Sequence, residues 1–203
     1  MSFNRFLEKT IQKSQHCNRN WDLSKQITPE DIKTMTTAVS QCSSKQNRVF
    51  YKVVYTQDRA KIENIHKATD GFMYDFENKL TTTNSQVLAN TLFAFIRDED
   101  QEIRTHEEYK LGKKEARTYT DEDRSVGIAA GYLTLTANLL GYETGCCQCM
   151  NENIVREVLE VDERVLLLMG VGIGDKSRSR LEHHDDPKFR FPSLKKNITV
   201  QSV

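Results

Sequence analysis

The segment Val126-Gly127-Ile128-Ala129-Ala130-Gly131-Tyr132-Leu133-Thr134-Leu135-Thr136-Ala137-Asn138-Leu139-Leu140-Gly141-Tyr142 carries the clearest helical pattern in this chain of 203 residues. Val126, Ala129, Ala130, Leu133, Ala137 and Leu140 recur three and four residues apart, which sets them on one face of a helix. Gly141 stands where such a helix stops, because a residue without a Cβ enters the left-handed region without strain. The small residues in the first half of the segment let another element approach closely.

Outward from this helix, both flanks read as further elements. Asn151 is placed to cap a shorter helix through Val155 and Leu159, and Val165 to Met169 is continuously apolar and bounded by Gly170, as a central strand would be. Upstream, Val49 to Tyr55 and Thr91 to Ile96 are rich in β-branched and aromatic residues and read as strands. Between them lie a short helix over Ala60 to His66 and a polar loop, Thr81-Thr82-Thr83-Asn84. Asp98 to Asp123 is mostly charged and is expected to be a solvated excursion.

The N-terminal third opens on Phe3, Phe6, Leu7 and Ile11, an amphipathic spacing, and then a polar knot, Gln15-His16-Cys17-Asn18-Arg19-Asn20, ahead of Trp21. Thr28-Pro29-Glu30-Asp31 is a helix start with a hydroxyl cap and proline at the first helical position. Ile32, Met35 and Val39 face inward from that helix, which stops in the turn formers Cys42 to Asn47. Asn197 to Val203 alternates as an edge strand does. Neither repeat nor linker divides residues 1–203, so a single domain is expected.

Composition excludes several classes. With 29 basic and 29 acidic side chains, the chain lacks the basic excess that neutralising nucleic-acid phosphates or an anionic membrane requires. No apolar run approaches the roughly 18 residues of a spanning helix, and Met1 to Arg5 does not lead into a secretory apolar core. Five cysteines, three of them crowded at 146, 147 and 149, fit a reduced compartment. A cytoplasmic protein without nucleic-acid or membrane partners is expected.

Three groups of residues invite a chemical reading. Gly170-Val171-Gly172-Ile173-Gly174-Asp175-Lys176-Ser177 fails as a phosphate loop, since Asp175 separates the last glycine from the lysine, and reads as a glycine-rich strand exit. Cys146, Cys147 and Cys149 with His183, His184, Asp185 and Asp186 have poor spacing for zinc. No metal is expected, His183 to Asp186 reads as an exposed loop, and the cysteines read as partly buried thiols beside a site. The basic clusters are His16 with Arg19, and Lys188, Arg190, Lys195 and Lys196. Together they could clamp a phosphate monoester, whose charge calls for two or three converging donors.

The order of these segments resembles the nitroreductase family of FMN-dependent oxidoreductases, in particular its compact oxygen-insensitive members. Gln15 to Trp21 lies where the family has its Arg-Arg-Ser-x-Arg element. Ser43-Ser44-Lys45-Gln46-Asn47 matches the Pro-Ser-x-x-Asn turn before the first strand. The helix ending in Leu139-Leu140-Gly141-Tyr142 is similar to the family's central dimer helix, with Glu143 to Met150 falling where the flavin edge is met. Pro187-Lys188-Phe189-Arg190-Phe191-Pro192 and Asn197-Ile198-Thr199-Val200 resemble its phosphate-binding tail and last strand. The resemblance spans nearly the whole chain and is weakest from Thr56 to Lys114. Departures fall at Gln15 (usually arginine), Cys17 (usually serine) and Ser43 (usually proline).

The resemblance implies an α+β fold, with a mixed, mostly antiparallel sheet flanked by helices in an intertwined homodimer holding FMN at the interface. It implies that His16, Cys17, Lys188 and Arg190 hold the flavin phosphate and that Arg19 lies toward O2 of the ring. Ser44 and Asn47 would reach the flavin from the other subunit, and backbone amides near Gln148 and Cys149 would face N5. The activity implied is ping-pong hydride transfer from NADH or NADPH through FMN to a small electron-poor acceptor such as a nitroaromatic or quinone, with no catalytic side chain. Two alternatives stay open: another flavin chemistry on the same fold (flavin reduction, dehalogenation or flavin degradation), or a non-enzymatic dimer that has lost its flavin.

Overall fold

The computed structural model describes residues 2–69, 72–75, 77, 80–98, 114–193 and 198–202. The expectations on Lys195, Lys196, Asn197 and Val203, and on residues 99–113 of the charged stretch, lie outside them.

The elements follow in the order α1 (Phe3–Ser14), α2 (Pro29–Ser40), β1 (Tyr51–Thr56), α3 (Arg59–Lys67), β2 (Phe72–Asp75), β3 (Leu80–Thr82), β4 (Thr91–Arg97), α4 (Lys114–Leu139), β5 (Glu143–Cys147), α5 (Glu152–Leu159) and β6 (Val165–Gly172). Four strands form one sheet in the order β1-β4-β6-β5, and every pairing is antiparallel. Strands β2 and β3 form a separate hairpin. The α+β class and the mostly antiparallel sheet are as expected.

The sheet is the middle of three layers, as alternation along β4 shows. Phe93 and Phe95 pack with α2 and α4 through Ile32, Met35, Val39, Ala129, Leu133 and Ala137. Leu92, Ala94 and Ile96 point the other way, toward Ile62 and Ile65 of α3 and Val155 of α5. Successive strand residues face opposite sides, so a strand buried on both faces reads as an unbroken apolar run. The same holds for β6, where Leu168 belongs to one cluster and Met169 to the other.

Helix α2 starts as its sequence dictates: Thr28 accepts from Asp31 N at 3.1 Å and Pro29 opens the first turn. Asn151 caps α5 through Ile154 N at 3.4 Å. Gly141 ends α4 with φ 93°.

Five expectations are corrected. Helix α4 begins at Lys114, not Val126, so the last ten residues of the charged stretch are helical. Its acidic residues Asp121 and Glu122 are buried, Glu122 to 1% exposure, because each has a cationic partner. Arg97 donates to both oxygens of Glu122 at 2.7 Å, and Lys45 pairs with Asp121. Leu140 lies past the last helical residue, in the turn to Gly141, and is exposed rather than on the packed face. Thr81 and Thr82 belong to β3 rather than to a loop. The strand after α5 runs through Gly170 to Gly172 instead of stopping at Gly170. Finally, residues 198–202 pair with no strand among the described residues, and Ile198 and Val200 are 68% and 90% exposed.

The glycines of β6 have a packing cause. A Cβ on Gly170 would overlap the carbonyl of Gln86 and come within 2.9 Å of Ala89 Cβ. One on Gly172 would overlap Asn90 Oδ1, and one on Gly174 the Glu143 carboxylate. Protein atoms fill the space a phosphate would need, so this motif is structural.

Candidate functional site

The polar knot after α1 is held by backbone hydrogen bonds to two distant segments. Asn18 N donates to Thr144 O of β5 at 2.8 Å, Arg19 N to Arg180 O at 3.2 Å, and Asp22 N to Ile173 O at 2.7 Å. The C-terminal segment lies on the far side of the Arg180 loop, with Phe191 N donating to Leu181 O at 2.8 Å and His183 N to Phe189 O at 3.1 Å. Residues 17–20, 178–182 and 189–193 thus run beside one another within one chain.

Side chains close the arrangement. The Arg19 guanidinium carbon lies 4.3 Å from the centroid of the Phe191 ring, a cation–π geometry. Arg19 Nε is buried with no hydrogen-bond partner. Burial pulls the Arg19 pKa below the ordinary guanidinium range, though not enough to discharge it. Arg180 donates from Nη1 to Cys17 O at 3.3 Å and from Nη2 to Ser193 Oγ at 3.2 Å, bridging the N-terminal and C-terminal segments.

His16 lines a cleft of about 180 Å³ with Lys13, Asn18, Arg178 and Arg180. Glu143, also in that cleft, is ion-paired with Lys176 at 2.5 Å and Lys13 at 3.3 Å. Burial alone would raise its pKa, but the two lysines outweigh it and hold the carboxylate charged.

Of the residues singled out from sequence, the structure brings His16, Cys17 and Arg19 together with the segment carrying Lys188 and Arg190. Lys188 is exposed, and the exposed Arg190 donates to Ser179 Oγ at 3.1 Å beside Arg180. Ser44 and Asn47 line a different cleft, of about 480 Å³ between α2 and β1. There Ser44 Oγ donates to Arg48 O at 2.6 Å, and Asn47 takes φ 56°, which asparagine tolerates better than most residues. Gln148 and Cys149 are exposed on the loop after β5, and Gln148 Nε2 donates to Leu166 O at 2.9 Å.

Sequence reasoning missed Arg180, whose only signal was its place in a basic Arg178-Ser179-Arg180 triplet. It also missed the partner of Cys17. Cys146, Arg19 and the Gln86 side chain all favour the Cys17 thiolate. The Cys146 thiol is the largest influence and brings the Cys17 pKa down to about 5, with Arg19 nearby adding to the effect. The Cys146 pKa is pushed far above the usual thiol range, first by its bond to Cys17 and then by burial.

The loop His183 to Asp186 is the other departure, because His183 is 2% exposed. Its Nδ1 accepts from Asp185 N and Asp186 N, both at 3.1 Å, which leaves Nε2 to donate to Thr83 O at 2.9 Å. Thr83 Oγ1 lies 2.7 Å from His66 Nε2. Burial pulls the His66 pKa down to about 4. This network buttresses the segment that presents Phe191, which stacks on His183 at 6.0 Å.

Comparison with known proteins decides the lineage. The Nitroreductase family profile matches residues 13–173. The chain belongs to the nitroreductase family.

Solved structures with this nitroreductase's fold include a nitroreductase family protein from Clostridium novyi NT, with TM-score 0.64, 18% identity, and coverage of 94% of this chain and 97% of that one. A Streptococcus pneumoniae TIGR4 family member gives TM-score 0.63, 20% identity, and coverage of 95% and 100%. A Clostridium acetobutylicum protein provisionally described as an NADH oxidase gives TM-score 0.59, 17% identity, and coverage of 82% and 88%. No curated protein matches the sequence. At family level the chain is a flavin oxidoreductase. Among the described residues no helix is long and apolar enough to cross a membrane.

The residues present fit a flavin mononucleotide. Arg19 Nε is a buried donor with no hydrogen-bond partner among the described residues. Arg180, Arg190 and Lys188 supply the positive charge one phosphate needs, and His16 a further polar side chain.

Proposed function

We propose that this nitroreductase binds FMN, takes a hydride from NADH or NADPH, and delivers it to a small electron-poor acceptor such as a nitroaromatic or quinone. The observation that carries the reading is the meeting of residues 16–20 with residues 178–193 around the Arg19 guanidinium, whose Nε has no hydrogen-bond partner among the described residues. FMN, when bound, supplies a ring that accepts a hydride and gives it up again.

The chain's own residues bind and orient. Arg190, Arg180, Lys188 and His16 hold the phosphate. Cys17, held toward its thiolate form, contributes no donor there. Arg19, held over Phe191, would set a cation on the O2 side of the ring, where it would favour negative charge. The loop of Gln148 and Cys149 would offer backbone amides toward N5, and Ser44 and Asn47 would complete the site from a second protomer. No side chain is required to move a proton.

The homodimer this needs has a surface ready for it. Helix α4 buries Ala129, Leu133 and Ala137 within the chain but exposes Ile128, Tyr132 and Leu139 on another face. Nothing lies within 4 Å of a Cβ built on Gly127 or Gly131 beside them. Ile198 and Val200 of the tail are exposed as well. In this reading the single domain works in the cytoplasm, with neither nucleic acid nor membrane as partner.

One observation favours the alternative of a dimer without flavin: a thiolate at Cys17 sets a negative charge among the phosphate donors. Reconstitution with FMN followed by anaerobic NADH or NADPH separates the two. The oxidoreductase bleaches the bound flavin, whereas a protein that FMN cannot titrate contradicts the proposal.

A further inference from the structure

We infer that Glu143 is the resident counter-anion of the basic cleft between α1 and residues 175–180, and that it sets the affinity of this cleft for a phosphate group by holding two lysines which the ligand must take over. This rests on the phosphate end of the site lying where residues 16–20 meet residues 178–193, and it needs no flavin to be tested.

The carboxylate is fixed by the fold. Glu143 opens β5, where it pairs with Gly172 of β6, and its side chain is only 15% exposed. A Cβ on Gly174 would come 2.2 Å from Glu143 Oε2, so that oxygen fills the space a side chain at 174 would take. The other oxygen, Oε1, receives both ammonium groups, Lys176 Nζ at 2.5 Å and Lys13 Nζ at 3.3 Å. The lysines are the movable members, because their side chains are 74% and 51% exposed and ride on flexible stems.

The cleft has the size and charge for one oxyanion. Its volume of about 180 Å³ is below the roughly 300–1,000 Å³ of a pocket for a drug-sized molecule. Arg180, in its lining, donates to two neutral oxygens, Cys17 O at 3.3 Å and Ser193 Oγ at 3.2 Å, and these bonds do not cancel its charge. Arg178 is paired with Glu182 at 3.5 Å. The second carboxylate of the lining, Asp175, accepts from Ser177 N at 2.9 Å and Ser177 Oγ at 2.7 Å. Two ammonium groups thus share Glu143, and a phosphate beside Arg180 draws them toward itself. Glu143 cannot follow, and the carboxylate left behind repels the incoming charge. Its removal therefore tightens phosphate binding, the reverse of what the loss of a binding residue does.

The test titrates the full-length apoprotein with inorganic phosphate, followed by phosphorus resonance, and compares the wild type with Glu143→Gln, Lys176→Gln and the double variant. Glu143→Gln is expected to bind phosphate about tenfold tighter. Lys176→Gln is expected to bind it more weakly, and the loss should be larger when Glu143→Gln is already present, because the lysine is then no longer shared. Unchanged or weaker binding by Glu143→Gln at an intact melting temperature overturns the inference. So does an equal loss from Lys176→Gln in both backgrounds, or no phosphate binding by any form. Lys176 is exposed and replaceable without loss of the fold, so unchanged binding by Lys176→Gln overturns it even where Glu143→Gln does not fold. A parallel FMN titration separates the two readings. The expected phosphate results without FMN binding contradict the flavin site alone, and FMN binding with phosphate indifferent to Glu143 contradicts only the role of Glu143.

Discussion

The Arg19 guanidinium sits 4.3 Å above the ring of Phe191, joining two residues from opposite ends of the chain. Because Arg19 Nε has no partner, this stack orients a cation without using up its donors. Replacing Phe191 by leucine keeps an apolar cover but removes the ring face. FMN affinity is expected to fall by about tenfold, in line with roughly 1–2 kcal/mol for a partly buried cation–π pair. Calorimetric titration checks it, and unchanged affinity would show that the stack does not prepare Arg19 for a ligand.

Stability should decline as the solution is acidified through the range set by His66. Its pKa of about 4 in the fold lies below the ordinary 6.5, with burial as the leading cause. A histidine depressed in this way binds protons more readily when unfolded, so its contribution is complete above pH 6.5 and is lost as pH falls toward 4. Urea midpoints measured between pH 7 and 4 should show a loss on the order of 2 kcal/mol. His66→Gln should flatten part of that slope.

Gly170→Ala tests why β6 carries glycine. The added methyl would collide with the Gln86 backbone and with Ala89. A rigid collision of this kind costs roughly 1–3 kcal/mol or more. Thermal denaturation should show a lower midpoint for Gly170→Ala, while Gly131→Ala, which meets nothing within 4 Å in the single chain, leaves the fold intact.

Much of the architecture was legible because it rests on local rules. The Thr28 cap, the Pro29 start, the Asn151 cap and the Gly141 stop all stand where the sequence puts them. So do the two central strands, whose apolar runs follow from burial on both faces. What escaped was set by distant partners. The charges of Asp121 and Glu122 look solvent-facing until Lys45 and Arg97 are brought to them, and for that reason the first turns of α4 read as an excursion. His183 looks exposed until Thr83 and Phe191 enclose it. In the candidate site, Arg19 and the tail were recognisable as basic clusters. Arg180 was not, because only its partners in the fold, Cys17 O and Ser193, give it a place there.

The most direct measurement compares FMN with riboflavin, which lacks the phosphate, in equilibrium titrations of the apoprotein and of Arg190→Ala. Charge-assisted bonds contribute roughly 1.5–3 kcal/mol each, so the wild type should bind FMN about a hundredfold or more tighter than riboflavin. Arg190→Ala should lose about tenfold or more for FMN, with riboflavin binding and melting temperature unchanged. Equal affinities for the two flavins, or no binding of either, would contradict the claim that the two ends of the chain meet around one phosphate.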